Sequence, residues 1–129
     1  MVSRSADTFA WSRDGGRTWE AADSGRELGY CWALAVDPAD PERWYVSAAS
    51  GPGAAHSGER ARGKLYRWRG TWQELATLPD AMPYALTMAD GELFVGMADG
   101  HMLRSADEGE SWQEIGARIA PITAVAATG

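Results

Sequence analysis

Ser105-Ala106-Asp107-Glu108-Gly109-Glu110-Ser111-Trp112 and Ser12-Arg13-Asp14-Gly15-Gly16-Arg17-Thr18-Trp19 fit one pattern, S-x-D-x-G-x-[S/T]-W, near opposite ends of the chain. A worn copy lies between them. Leu65-Tyr66-Arg67-Trp68-Arg69-Gly70-Thr71-Trp72-Gln73-Glu74-Leu75 parallels Met102-Leu103-Arg104 followed by Ser111-Trp112-Gln113-Glu114-Ile115, with the turn shortened and its Ser and Asp lost. Each tryptophan is followed by a second marker: Ala33-Leu34-Ala35-Val36, Ala85-Leu86-Thr87-Met88 and Ala124-Val125-Ala126-Ala127. Trp19 and Trp72 stand 53 residues apart, and Ala33 and Ala85 stand 52 apart. Trp72 and Trp112 are 40 apart, Ala85 and Ala124 are 39 apart. Two independent markers with the same pair of periods define structural repeats of ~40–50 residues.

Each repeat reads as four short strands, a to d. In the best-covered one, a is about Trp32–Val36, b Trp44–Ala49, c Lys64–Trp68 and d Thr71–Leu75. In the next, a is Tyr84–Met88, b Glu92–Met97, c His101–Arg104 and d Ser111–Ile115. Val, Tyr, Trp, Phe and Leu fill these runs, and Asp-Gly, Gly-Gly and Pro punctuate them. Asp90-Gly91 and Asp99-Gly100 each separate two apolar runs, a strong hairpin signal. No window carries a helical stripe, so the chain is predicted to be all-β. Within the octet, the aspartate is placed to accept backbone N–H groups two or more residues onward and fix the c–d turn. The glycine supplies a positive φ. The tryptophan is expected to open strand d and bury its ring against the neighbouring unit.

These octets resemble the Asp-box, or bacterial neuraminidase repeat, of Asp-box β-propellers in the sialidase and glycosyl-hydrolase-like superfamily. The resemblance covers nearly the whole chain. It implies a β-propeller of four-stranded antiparallel blades, with Ser12, Asp14, Gly16, Thr18, Trp19, Trp72, Ser105, Asp107, Gly109, Ser111 and Trp112 as structural box residues. Trp11, Trp44, Trp68 and Phe94 are expected to pack between blades. The domain is read as one partial propeller: 1–21 the end of a blade, 31–76 a second, 84–115 a third, and 122–129 the first strand of the next. Val2-Ser3 would then be a stub of strand b, with Thr8–Trp11 as c and Arg17–Ala21 as d, and Ile122–Ala127 a further strand a. Together these amount to about three blades, whereas closed propellers use ~4–8. Two readings follow: a homodimer completing a six-bladed ring by strand exchange, or a fragment whose remaining blades belong to a longer chain.

In such a fold the b–c and d–a connections share one face, and the boxes lie on the other. The candidate binding face receives Ala22–Tyr30, Gly51–Gly63, Ala76–Pro83 and Gly116–Pro121. Gly51–Gly63 is the main length anomaly, a glycine-rich half joined to a charged half, and long loops on rigid scaffolds often carry function. Candidate ligand-binding residues are Arg26, Glu27, Tyr30, Trp32, His56, Glu59, Arg60, Arg62 and Tyr84. Arginines suit bidentate anion recognition, the aromatics suit stacking on peptide side chains or sugar rings, and His56 with Glu27 or Glu59 is a candidate acid–base pair. The resembled family includes sialidases, other glycoside hydrolases, sorting-receptor ectodomains and non-catalytic assembly factors. It implies, for an enzyme, three arginines on a substrate carboxylate and a Tyr–Glu nucleophile pair, and the arginine contexts of that site are not recognisable here. A glycosidase also needs two carboxyl groups ~5–9.5 Å apart; Asp23, Glu27, Glu59 and Asp80 are the acids on this face. The reading is therefore a non-enzymatic scaffold binding a protein or glycan, with a sialidase-like hydrolase fragment as the alternative and no catalytic residue assigned.

Composition narrows the partners. The 129 residues carry 18 acidic against 12 basic side chains, a formal charge of −6, so neither a nucleic acid nor a membrane surface is expected as partner. One cysteine, Cys31, excludes an intrachain disulfide and any multi-cysteine metal site. It reads as a small buried apolar residue. There is no H-x-x-x-H pattern, no metal site is assigned and no cofactor is expected. Asp37-Pro38-Ala39-Asp40-Pro41-Glu42 reads as a rigid a–b turn. No apolar leader is visible, which points to the cytoplasm, or to secretion if the N-terminus is truncated. Arginine outnumbers lysine 11 to one, Lys64, a usage typical of GC-rich bacterial genomes.

Overall fold

The computed structural model describes residues 2–4, 9–77, 79–116 and 120–127. Among them the chain forms eleven strands: β1 Val2–Arg4, β2 Phe9–Trp11, β3 Glu20–Ala21, β4 Tyr30–Asp37, β5 Asp40–Ala49, β6 Lys64–Trp68, β7 Trp72–Leu75, β8 Pro83–Ala89, β9 Glu92–Met97, β10 Met102–Ser105 and β11 Gln113–Ile115. They make three antiparallel sheets in chain order. Sheet 1 is β1-β2-β3, sheet 2 is β4-β5-β6-β7, and sheet 3 is β8-β9-β10-β11. The all-β expectation holds, and the predicted strands other than Ile122–Ala127 lie within a few residues of those observed.

The sheets pack face to face, so the central strands are apolar on both sides. On β5, Trp44, Val46 and Ala48 enter a core shared with Phe9, Trp11 and Ala22 of sheet 1. Tyr45, the alternate residue, enters a second core with Leu93, Val95 and Leu103 of sheet 3. This is the period of two that places successive side chains on opposite faces, and it explains why Trp44–Ala49 reads as an unbroken apolar run. The first joint is aromatic. Trp44 stacks on Trp68 at 5.2 Å and meets Trp11 at 4.8 Å, while Phe9 stands edge-on to Trp72 at 5.1 Å. The second joint adds charge. Arg67, only 4% exposed, donates to the Glu108 carbonyl at 2.6 Å and to Glu110 at 2.8 Å, and Arg43 reaches Glu108 at 2.7 Å.

One tryptophan position recurs across both joints. The indole N–H of Trp72 donates to the Ala22 carbonyl, just past β3, and that of Trp112 donates to the Ala76 carbonyl, just past β7. Each ring thus caps the last strand of the preceding sheet. Trp19 departs from the expected burial: it is 44% exposed and donates within its own turn to the Gly16 carbonyl at 3.1 Å. The reason is positional, since no described residue forms a sheet preceding sheet 1. Phe94 is likewise half-buried and outside the cores, because it lies on the face of sheet 3 away from sheet 2.

Two further expectations are corrected. Strands d begin late, at Glu20 and Gln113 rather than Arg17 and Ser111, because the octet turn absorbs the intervening residues. Ile122–Ala127 forms no strand; among the described residues it touches β9 through the Ile122 N–H to the Met97 carbonyl at 3.1 Å. It has no ladder partner, and an extended segment needs one to become a strand. The loop Gly51–Gly63 is ordered by local structure, with a helical turn α1 at Pro52–Ala55 and a 3-10 turn at Gly58–Arg60.

Fully buried Tyr45 has no hydrogen-bond partner for its hydroxyl among the described residues, and burial pushes its phenol pKa up. An unsatisfied buried hydroxyl costs about 1–3 kcal/mol. Tyr45→Phe is therefore expected to leave stability unchanged or raise it by about 1 kcal/mol in urea denaturation, against the usual trend for core substitutions.

Candidate functional site

The octets sit at the c–d turns and are held by one device. The Ser12 hydroxyl donates to Asp14 Oδ1 at 2.8 Å and accepts the Gly16 N–H at 2.8 Å. Asp14 then accepts the N–H groups of Arg17 and Thr18 at 3.0 and 2.9 Å and the Thr18 hydroxyl at 2.7 Å. Ser105, Asp107, Gly109 and Ser111 repeat the pattern, with Gly109 N–H to Ser105 at 2.8 Å and Ser111 N–H to Asp107 at 2.8 Å. Gly109 needs its glycine twice over: its φ is +87°, and a Cβ there would collide with the Leu75 methyls. Both aspartates have every carboxylate oxygen engaged in building a turn, so they are structural anchors.

Those donors hold the pKa of Asp14 and Asp107 down to about 2 from 3.8, the Thr18 and Ser111 hydroxyls contributing most and their N–H groups next. A depressed carboxylate pKa adds stability above the unfolded value and loses it as the pH falls toward the folded one. The turns should therefore hold at pH 5 and weaken between about pH 4 and 2. Asp107→Asn is expected to flatten that part of an acid titration followed by circular dichroism.

At the opposite end of the sheets the b–c and d–a connections meet. Ala55 and Ala61 of the long loop are fully buried with Met82 and Ala98. Backbone bonds knit the layers: Met82 N–H to the Ala61 carbonyl at 2.8 Å, Ala98 N–H to the Met82 carbonyl at 2.8 Å, and Arg62 N–H to the Ala54 carbonyl at 2.9 Å. Gly63 passes so close to Met82 and the Ala48 carbonyl that a Cβ has no room.

On this platform four predicted residues converge. Tyr30 and Trp32 lie on β4, Tyr84 on β8, and His56 caps α1. His56 stands edge-on to Trp32 at 4.6 Å and its Nε2 lies 3.0 Å from the Tyr30 hydroxyl. Trp32 and Tyr84 are tilted at 5.6 Å, and the Tyr84 hydroxyl donates to the Ala55 carbonyl at 2.7 Å. All three aromatic rings are half-buried. Trp32 and Tyr84 also help to wall a cleft of about 350 Å³, together with Ala33, Leu34, Ala85, Leu86 and Thr123–Val125. Beside them a smaller groove of about 190 Å³ is lined by Leu28, Ala54, Arg62, Lys64 and Asp80.

The remaining candidates are placed elsewhere. The Arg26 side chain is 2% exposed and clamps the β3–β4 loop, donating to Asp23 at 2.8 Å, the Leu28 carbonyl at 3.1 Å and Cys31 Sγ at 2.9 Å. Asp23 in turn accepts the Phe9 N–H at 2.6 Å. Glu27 pairs with Lys64 at 2.7 Å, and Glu27 with Glu74 holds the Lys64 pKa above its ordinary value. Arg62 donates to the Glu59 and Ala61 carbonyls. Glu59 and Arg60 project from the 3-10 turn, exposed. A cleft of about 340 Å³ at the octet end, between Trp11 and Glu42, is crossed by Arg13, whose guanidinium lies 4.0 Å over Trp11 and 2.8 Å from Glu42. Among the described residues no three His, Cys, Asp or Glu side chains are grouped to hold a metal ion, and no helix is long and apolar enough to cross a membrane.

No protein-family model matches the chain, and no curated protein matches it. Among solved structures it is similar to one of YCF48 bound to D1 peptide, with a TM-score of 0.58 and 16% identity, over 83% of this chain and 33% of that one. The fold is that of a β-propeller. Sheets 2 and 3 are then four-stranded blades, with β4 and β8 as innermost strands. The chain spans about a third of the length of the structure it matches.

Proposed function

We propose that this chain belongs to a non-enzymatic Asp-box β-propeller that binds an extended protein segment on the face formed by the long loop and the d–a connections. The convergence of Tyr30, Trp32, His56 and Tyr84, two of which line a cleft between β4 and β8, carries this reading. Aromatic rings with one apolar face and one polar edge are the usual anchors of protein interfaces, and these four come from three separated stretches of sequence. The octet hydrogen bonds support the Asp-box resemblance. The similar structure is of YCF48 with a D1 peptide, which is in keeping with a peptide ligand. A hydrolase reading finds less support: Asp23 and Glu27 are each spent on a cation, and the guanidinium of Arg26 is buried.

Panning a random peptide library against the chain tests the reading. Enriched peptides are expected to lose at least ten-fold in affinity for Trp32→Ala and Tyr84→Ala, and to be indifferent to Arg13→Ala at the octet end. Binders insensitive to both aromatic substitutions would refute it, and saccharides that compete for the same rings would make the ligand a glycan. Turnover of a fluorogenic glycoside, abolished by Glu27→Gln or Glu59→Gln, would establish the hydrolase instead.

A further inference from the structure

Trp72 and Trp112 hold the same place in successive sheets, each donating its indole N–H to a carbonyl just past the sheet before it. What covers the two rings differs. Over Trp72 lies the guanidinium of Arg26, 5.1 Å from the ring centre and buried with it. The β3–β4 connection brings it there. Asp23 accepts from the guanidinium at 2.8 Å, and the connection is tied to sheet 2 by the Leu28 N–H, which donates to the Tyr66 hydroxyl at 3.3 Å. The chain thus shows what it sets on an indole at this point of a joint: a planar cation paired with one acid.

At the next joint that place is open. A cleft of about 430 Å³ is lined by Ala76, Leu103, Glu110, Ser111, Trp112 and Glu114, within the ~300–1,000 Å³ of ordinary ligand sites. Two differences between the repeats account for it. Leu103 stands where the preceding sheet has Tyr66, each opposite the equivalent glutamate of the last strand, Glu114 and Glu74. Leucine is shorter than tyrosine and has no hydroxyl to hold a loop across the ring. The β7–β8 connection, residues 76–82, contains no arginine or lysine. Its end is drawn toward the long loop instead, where the Met82 N–H donates to the Ala61 carbonyl at 2.8 Å. Trp112 is left half-buried.

The walls are acidic. Glu114 is exposed, with the His101 imidazole 3.5 Å from it, and Glu110 is exposed and held by Arg67 at 2.8 Å. No basic side chain lines the cleft among the described residues. An indole with a carboxylate beside it suits a guanidinium above other cations. That group is planar and weakly hydrated, so it lies flat on a ring while its N–H fork meets a carboxylate.

We infer that this cleft receives an arginine side chain of a partner protein, its guanidinium over the Trp112 indole and paired with Glu114, as Arg26 lies over Trp72 and pairs with Asp23. The cleft lies on the outer strands β10 and β11, whereas the aromatic cluster at the mouth stands on the innermost strands, so neither site requires the other.

Titrating acetyl-Gly-Arg-Gly-amide into the nitrogen-15-labelled chain, with the indole N–H resonances followed by nuclear magnetic resonance, tests the assignment. The Trp112 resonance is expected to shift and saturate, with the weak affinity of a single side chain. The Trp72 resonance is expected to stay, because its ring is already covered. The lysine peptide is expected to bind about three-fold more weakly. The citrulline peptide, equal in shape but uncharged, is expected to lose about ten-fold. Glu114→Gln, a change at an exposed position, is expected to weaken the arginine peptide about five-fold. Glu20→Gln removes the same charge at an exposed position on β3 and is expected to leave the affinity unchanged, as is Trp32→Ala at the mouth. A Trp112 resonance that does not move overturns the inference. Equal affinities for the arginine and lysine peptides overturn the ligand, and an affinity that Glu114→Gln and Glu20→Gln lower alike overturns the site.

Discussion

Trp72→Ala is expected to cost about 3–5 kcal/mol, a large share of the ~5–15 kcal/mol that holds an ordinary domain folded. Trp72 is 8% exposed and touches the rings of Phe9, Trp44, Tyr66 and Trp68. Its indole N–H closes the joint to sheet 1 through the Ala22 carbonyl, and the Arg26 guanidinium lies 5.1 Å over its face. Alanine removes the ring from the middle of an aromatic cluster whose members cannot collapse into the gap without breaking their own contacts. It also strands a buried carbonyl. The chemically identical change at Trp19 should cost less than about 1 kcal/mol in the isolated chain, because that ring is 44% exposed. Urea denaturation followed by circular dichroism compares the two; equal losses would mean that burial against the preceding sheet is not what makes this tryptophan matter.

Arg67→Ala is expected to cost about 2–3 kcal/mol, and Arg69→Ala less than about 1 kcal/mol. Both arginines reach the Glu108–Glu110 turn of sheet 3, but Arg67 is 4% exposed and Arg69 48%. Arg67 satisfies the Glu108 carbonyl, Glu110 and Gln73 at once. Deleting it opens a cavity and unpairs the Glu108 carbonyl and Gln73 beside a buried guanidinium site, while Glu110, whose side chain is 58% exposed, returns to solvent. Arg69 makes an exposed pair that solvent replaces. Methionine in place of Arg67 fills the cavity without the charge and should recover part of the loss. Denaturation at low and high salt separates the pairs, since an exposed ion pair is screened and a buried one much less.

The repeats, the all-β class and the order of strands were legible because they rest on local chemistry. Asp-Gly turns, alternating Trp-Tyr-Val runs and the S-x-D-x-G-x-[S/T]-W octet each act within ten residues. The octet's bonds follow from spacing alone: an aspartate two residues after a serine and four before a threonine reaches both. What lay outside that range was read only as residue types. Tyr30, Trp32, His56 and Tyr84 stand out as residue types, but their convergence depends on Ala55, Ala61, Met82 and Gly63 locking the long loop onto β5 and β8. A run such as Gly51-Pro52-Gly53-Ala54-Ala55 carries no sign of that docking except small side chains that tolerate close approach. Arg26 looked like an anion ligand because arginine in a loop looks alike whether it faces solvent or Asp23 and Cys31. Trp19 was expected to bury because its octet is intact; the fate of its ring depends on a neighbour, and a neighbour is invisible to a motif.

The two joints inside the chain are chemically unlike, one a wall of Phe9, Trp11, Trp44 and Trp72, the other Arg43 and Arg67 set against Glu108 and Glu110. The units are therefore not interchangeable modules. Cut out and re-spliced in another sequence, sheet 1 would bring Arg17 to a cationic counterpart, and sheet 3 would bring Glu110 to an indole. Each interface acts as an address matched to its own successor, so the order of the three sheets is written into their faces as well as into the polypeptide, and versions with the sheets shuffled should fail to pack.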